Sequence, residues 1–192
     1  IQAGTSHFLG QNFSKASDIS FAGRDGSKQF GWTTSWGVST RLVGTLIMAH
    51  GDDDGIKLPP MVAPTQVVIL PIVPKEKDRD SVMNAVHQLA DQLNNVKYAG
   101  LPLRVEIDDR DMHGGAKNWE WIKKGAPIRV EIGPRDIEKG SVAVTRRDKS
   151  HKEKQFIQAQ EFLEEVGNIL QQIQNDMFNN INHSVCQRHK DV

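Results

Sequence analysis

Hydrophobic residues change their spacing several times along the chain, and each spacing predicts an element. Val67 to Ile72 is an unbroken apolar run, the mark of a strand covered on both faces. Val82, Val86, Leu89 and Leu93 follow at intervals of four, three and four, which puts them on one face of a helix. Leu103, Val105 and Ile107 alternate with Arg104, Glu106 and Asp108, as a half-buried strand does. A short helix over Asn118 to Lys124 is closed by Gly125. Ile128, Val130 and Ile132 alternate with Arg129 and Glu131, and Val142 and Val144 form a last strand. From Lys152 to about Asn180, Phe156, Phe162, Leu163, Val166, Ile169, Leu170, Ile173 and Met177 mark one long amphipathic helix. Strands alternating with helices predict α/β layers with a largely parallel sheet.

Upstream the pattern differs. Phe8, Phe13, Phe21 and Phe30 sit among Gly, Ser and Asp, with a turn signal at Gly23-Arg24-Asp25-Gly26. Such short strands do not close a core alone and read as the last antiparallel strands of a larger sheet. Gly37 then breaks the chain, and Ser39 or Thr40 can cap a helix. Leu42, Val43, Leu46, Ile47 and Ala49 give that helix an apolar face, and Gly51 is placed to end it in a left-handed conformation. Residues 51–64 read as a linker, with three consecutive Asp followed by Gly55, Pro59, Pro60 and Pro64. The Asp run lacks the alternating ligands and later Glu of a calcium loop, so it reads as a turn. The expected divisions are residues 1–60, 65–150 and a C-terminal helix and polar tail over 151–192.

Composition narrows the partners. Lys plus Arg and Asp plus Glu are 24 each, so no global charge announces a polyanion. Charge is uneven, however: Lys117 to Lys154 carries eleven basic against six acidic residues, and Gln155 onward carries two against five. A locally basic stretch suits a polyanion docking in one place, or is only solvated surface. One cysteine, Cys186, allows no internal disulfide and suits a reducing, cytoplasmic setting. No apolar run is long enough to span a bilayer. The chain opens on Ile1 rather than Met, so it reads as a piece of a longer protein.

Several residues could carry chemistry. Arg41 falls in the first turn of its helix, where the dipole disfavours a cation by a few tenths to ~1 kcal/mol. Either an anion joins it at the free N–H groups, or it bends back to a carboxylate. Gln2, Thr5 and His7 read as sharing one face of a strand, an amide, a hydroxyl and an imidazole pointing into a common space, or as a polar solvent face. Arg129 and Glu131 share the face opposite Val130, about 7 Å apart. Side by side they offer a donor fork and an acceptor pair for base edges, or a cross-strand ion pair on a solvated sheet. His183, Cys186 and His189 recur every three residues but lie in a polar tail, and no metal is assigned to them. A phosphate loop, a nucleophile elbow and a helical zinc pair are absent from the sequence.

Longer stretches resemble a known family. TTSWGVSTRLVG (33–44) followed by HGDDDGIKLPP (50–60) closely resembles the last signature motif of the prolyl-tRNA synthetases. IQAGTSHFLGQNFSKASDI (1–19) and KKGAPIRVEIGPRD (123–136) resemble the same class II enzymes, the latter their anticodon-binding domain. The resemblance covers the chain to about Lys154. It implies the end of an antiparallel class II catalytic sheet, then an α/β anticodon-binding domain with a mostly parallel or mixed five-stranded sheet, then a long C-terminal helix. It also implies activation of proline with ATP and Mg2+, transfer to tRNA-Pro, and a homodimer in the full-length protein. By position, Arg41 would contact the ATP phosphates, with Gln2, Thr5 and Ser39 also at the nucleotide. His7, Trp36 and Gly37 would border the proline pocket, although Trp36 could equally be core. Glu120, Lys124, Arg129, Glu131 and Arg135 would meet the anticodon, with Arg146 and Arg147 on phosphates and Trp119 or Trp121 stacking on bases. Ile122 departs from the pattern, because many family members have Glu there; Glu120 is the candidate replacement. Since the other catalytic motifs would lie upstream, this stretch alone is expected to be inactive. A non-catalytic tRNA-binding module is the alternative reading, and a threonyl- or histidyl-type synthetase a weaker one.

Overall fold

The computed structural model describes residues 2–188, with side chains to Ile181. The chain divides into two units, residues 1–48 and 49–192.

The first unit is a set of ribbons. Strand β1 (Gly4–Gly10) runs into α1 (Asn12–Ala16), a helix that the spacing of the phenylalanines did not signal. The predicted turn is present: β2 (Ser20–Ala22) and β3 (Lys28–Phe30) pair antiparallel around Gly26, whose φ is +76°. Asp25 fastens this turn by accepting from the backbone and hydroxyl of Ser27. Strand β4 (Thr33–Val38) returns along β1, pairing Thr5 with Gly37, Ser6 with Trp36 and His7 with Ser35. Helix α2 (Arg41–His50) follows.

Gly51 does not end α2 in the left-handed conformation that its position suggests. Left-handed backbone is adopted instead at Gly55, with φ +135°, where Asp52 and Gly55 exchange main-chain hydrogen bonds.

The second unit is layered around a five-stranded sheet ordered β11-β10-β9-β5-β8. β5 (Val67–Pro71) lies between β9 (Ile128–Ile132) and β8 (Val105–Ile107) and is parallel to both. β9 pairs antiparallel with β10 (Ser141–Arg146), and β10 with β11 (Lys154–Gln158). The sheet is therefore mixed. β11 corrects the expected start of the last helix. Residues 154–158 pair with β10, Phe156 stays exposed, and the helix begins only at Ala159. A two-residue hairpin, β6 (Lys97–Tyr98) with β7 (Leu101–Pro102), was not signalled by the pattern.

Helices cover both faces. On one face, Val67 and Ile69 pack with Val82, Val86 and Leu93 of α3 (Arg79–Asn94) and with Phe162, Val166, Leu170 and Ile173 of α6 (Ala159–Arg188). On the other, Val68 and Leu70 pack with Trp121 of α4 (Gly114–Lys124). β5 is apolar throughout because it is covered twice. α4 starts a turn earlier than predicted, since His113 caps it by accepting from the Gly115 N–H. A fifth helix, α5 (Pro134–Glu138), follows β9. Among the described residues no helix is long and apolar enough to cross a membrane. His189 and the side chains of His183 and Cys186 lie outside the described part of the chain.

Candidate nucleic-acid interface

β9 alternates as expected, with Val130 in the core shared with α3 and α6 and Arg129 turned to the α4 side. That side is not open sheet surface. Arg129 is 1% exposed. Its Nε donates to Asn118 Oδ1 of α4 at 2.7 Å, while both terminal nitrogens lack a partner among the described residues. Burial, with Arg147 nearby, pulls its pKa down to about 10, so it is still a cation at neutral pH. Glu131 instead meets Lys154 of β11 at 2.7 Å. The donor fork and acceptor pair expected to work side by side are thus separated: the acid is spent on an ion pair and the fork is free.

Arg129, its terminal nitrogens buried and unpartnered among the described residues, belongs to the lining of a cavity of about 370 Å³, with Asp52, Asp54, Lys57, Ile122, Arg146, Arg147 and the 148–151 turn. The two other arginines around it are matched, while Lys149 lines the cavity with no ion pair among the described residues. Arg147 is bidentate to Asp52, at 2.6 and 2.9 Å, and Arg146 bidentate to Asp148, at 2.7 and 2.9 Å. Hydrogen bonds from Arg147, then Lys57, hold the Asp52 carboxyl well below the usual carboxylate range. His151 sits 3.7 Å from Asp54 and edge-on to Trp119, their rings 6.4 Å apart. Trp119 is 40% exposed, whereas Trp121 is core and donates its Nε1–H to Asp108 at 2.8 Å. Of the two tryptophans, Trp119 is the one free to stack on a base.

The remaining expected anticodon residues are dispersed. Glu120 accepts from Arg110 at 2.8 Å and does not line the Arg129 cavity. Ile122 has a buried side chain, and its carbonyl accepts from Arg147. Lys124 holds its ammonium 4.3 Å above the Trp121 ring. Arg135 is exposed on α5. The alternating pattern gave no sign of Asn118, Asp52 and His151, because each acts through a partner distant in sequence.

A second cavity, of about 500 Å³, lies beyond the carboxyl ends of β5 and β8. Two of its cations are held by the protein itself. Arg110 binds Asp108 and Glu120, and the buried Lys117 donates to the Asp108 carbonyl. Asp108 is held far below the ordinary range by Arg110 and by Trp121.

In the first unit, Gln2, Thr5, Gly37, Ser39 and Arg41 line one open cavity of about 330 Å³. Arg41 Nε donates to Ser39 Oγ at 3.2 Å, and among the described residues no carboxylate forms an ion pair with it. Cross-strand partners share a face, so Thr5, His7, Ser35 and Gly37 lie on one face of the β1–β4 ribbon. Trp36, paired with Ser6 and 79% exposed, lies on the other. It is neither core nor on the His7 face. Ser35, which the motif did not single out, is the residue opposite His7. Among the described residues no group of three or more His, Cys, Asp or Glu could hold a metal ion.

Proline–tRNA ligase of Akkermansia muciniphila is 57% identical over 177 residues, 92% of this chain and 35% of that protein. Proline–tRNA ligase 2 of Anaeromyxobacter dehalogenans is 53% identical over 174 residues, 91% of this chain and 34% of its own length. That of Bdellovibrio bacteriovorus is 52% identical over 178 residues, 93% of this chain and 36% of its own length. The chain thus spans about a third of the length of these relatives. The family model described as "Anticodon binding domain" matches residues 66–169, more than half of the chain and the whole five-stranded sheet, and the chain belongs to that family.

Proposed function

We propose that the chain carries the last catalytic motif and the anticodon-binding portion of a proline–tRNA ligase, and that its second unit reads the anticodon of tRNA-Pro at the Arg129 cavity. One observation carries the reading: a buried guanidinium in the lining of a cavity, both terminal nitrogens unpartnered among the described residues, in a domain of the anticodon-binding family. Guanine presents O6 and N7 as adjacent acceptors that such a fork meets bidentately. Proline codons begin with two cytosines, so their tRNAs carry two adjacent anticodon guanines. Trp119 offers a stacking surface beside the cavity, and Lys149 and Lys152 add charge near the backbone. The test is titration of the chain with tRNA-Pro and with the same tRNA bearing adenines in place of those guanines. Tighter binding of the natural tRNA is expected; equal affinity at physiological salt would mean that only backbone charge is sensed.

The first unit supplies part of an ATP and proline site. Arg41, on the N-terminal turn of α2 and without a carboxylate partner, is suited to the triphosphate, with Gln2, Thr5 and Ser39 around the nucleotide. His7, Ser35 and Gly37 share the ribbon face that would border proline. Positioning and charge stabilisation are the protein's contribution as the proline carboxylate attacks the α-phosphate and pyrophosphate leaves. This lining offers Mg2+ one amide oxygen, from Gln2, and no carboxylate, so it does not by itself make a magnesium site. In the complete ligase, Arg41→Ala is expected to lower proline-dependent pyrophosphate exchange by orders of magnitude while the melting temperature holds. Unchanged exchange would remove Arg41 from the reaction.

A further inference from the structure

The Asp52–Leu58 segment reads in sequence as a linker, yet it is built into the wall of the Arg129 cavity. The Ile56 N–H donates to the Lys123 carbonyl at 3.3 Å and the Leu58 N–H to the Gly125 carbonyl at 3.2 Å, so the segment clamps the end of α4. From its start, Asp52 reaches Arg147, which is 5% exposed and lines the same cavity as Arg129. Four of the five N–H donors of Arg147 are then engaged. Its Nε donates to the Ile122 carbonyl at 3.0 Å, its two terminal nitrogens to Asp52, and one of them also to the Gly55 carbonyl at 3.2 Å. Lys57 joins the same carboxylate at 3.0 Å. One acid therefore holds two cations that would otherwise face the cavity.

This pairing decides what kind of ligand the cavity prefers. Two neighbouring guanidiniums with free donors make an anion receptor, and a phosphate satisfies both whatever base it carries. One planar fork with a single charge and a fixed edge instead suits a pair of acceptors in the plane of a base. We infer that Asp52 is a specificity-determining residue of the cavity: by pairing with Arg147 it suppresses general phosphate binding and leaves Arg129 to read a guanine edge in single-stranded RNA. The inference rests on the reading of this cavity as an anticodon site.

The test uses the full 192-residue chain and two 17-nucleotide RNA hairpins, one with the two anticodon guanines and one with adenines in their place, titrated at two salt concentrations. The unsubstituted chain is expected to prefer the guanine hairpin by roughly tenfold or more. Asp52→Asn keeps the shape and one acceptor oxygen but removes the charge. It is expected to bind the adenine hairpin more tightly than the unsubstituted chain does, and to reduce the preference to within about twofold. Its salt dependence should steepen by about one phosphate contact. Adding Arg147→Gln removes the freed cation and should restore the preference. Asp52→Ser replaces Asp52→Asn if the latter does not fold. An unchanged preference in the folded variant overturns the inference. So does weakened binding of both hairpins that Arg147→Gln does not restore, since that marks a structural role alone. If the unsubstituted chain has no guanine preference, the anticodon reading itself falls, and the variants are not needed to see it.

Discussion

On the proposed reading, Arg129 sets stability against function. Taking a guanidinium out of water is expensive, and the cost is recovered only when its donors are paired. Here a single hydrogen bond, to Asn118, is made by the protein. Arg129→Met would fill similar space without a charge. It is expected to leave unfolding free energy unchanged or raise it by roughly 1–4 kcal/mol, measured by urea denaturation. The same change should cost about 1–3 kcal/mol of guanine discrimination. A variant that lost stability and kept discrimination would reverse the assignment. The carboxylates behave in the opposite sense. Asp52 and Asp108 are both depressed in the folded chain, chiefly by their arginine partners. A depressed acid contributes stability that is present above the unfolded pKa, about 3.9, and is lost as pH falls through the folded value. Melting temperature should therefore hold through neutrality and fall below about pH 4. Asp52→Asn should flatten that acid limb, and an acid limb as steep as that of the unsubstituted chain would exclude Asp52 as its source.

At the scale of elements, the end of α4 is the joint that holds the interface together. Gly125 caps the helix at φ +76°, and its backbone lies against the Asp52–Leu58 segment, so that a Cβ there would meet the Ile56 carbonyl oxygen at 2.6 Å. Gly125→Ala adds the left-handed penalty of ~1 kcal/mol or more to that clash. It should destabilise the domain and also weaken RNA binding, because Ile122 and Lys123 share the shifted turn; thermal melting and hairpin titration read the two effects. The elements that carry the core were plain in the sequence. β5, α3 and β9 each obey one period, since each faces one or two fixed layers. β11 was hidden because Phe156 continues the apolar rhythm of α6, although it is 68% exposed and only Ile157 of its neighbours turns inward to the core. The first turn of α4 was hidden by Gly114 and Gly115, which have little helix propensity and rely on the His113 cap. The sequence marks Arg41 and Arg129 as candidates by residue type alone, but not that Arg129 is buried against α4. The candidate site was not legible where a partner decides the role. Glu131 and Glu120 look alike in sequence, yet both are occupied by neighbouring cations, while the aspartate that matters for the cavity sits 95 residues from its arginine.

At the scale of the whole molecule, the two units differ in how they bury apolar surface. Both core clusters belong to the second unit, where α3 and α6 cover one face of the sheet and α4 the other. In the first unit Phe8 and Trp32 stack on each other while 71% and 69% exposed, and α2 buries none of its side chains fully. Ser14 is its one fully buried residue among those described, and that burial is polar, its hydroxyl donating to the Gly31 carbonyl at 2.6 Å. Stability on the order of 5–15 kcal/mol requires a continuous apolar core, and only the second unit has one. Residues 49–192 expressed alone are therefore expected to unfold in one cooperative transition and to bind the guanine hairpin as tightly as the full chain. Residues 1–48 alone should give no cooperative transition. Circular dichroism melting of the two pieces checks this directly. A cooperative melt of residues 1–48 would mean that the ribbons are held by local hydrogen bonds far more strongly than their burial allows. A second unit that melts without cooperativity would mean that its layers do not form a self-sufficient fold.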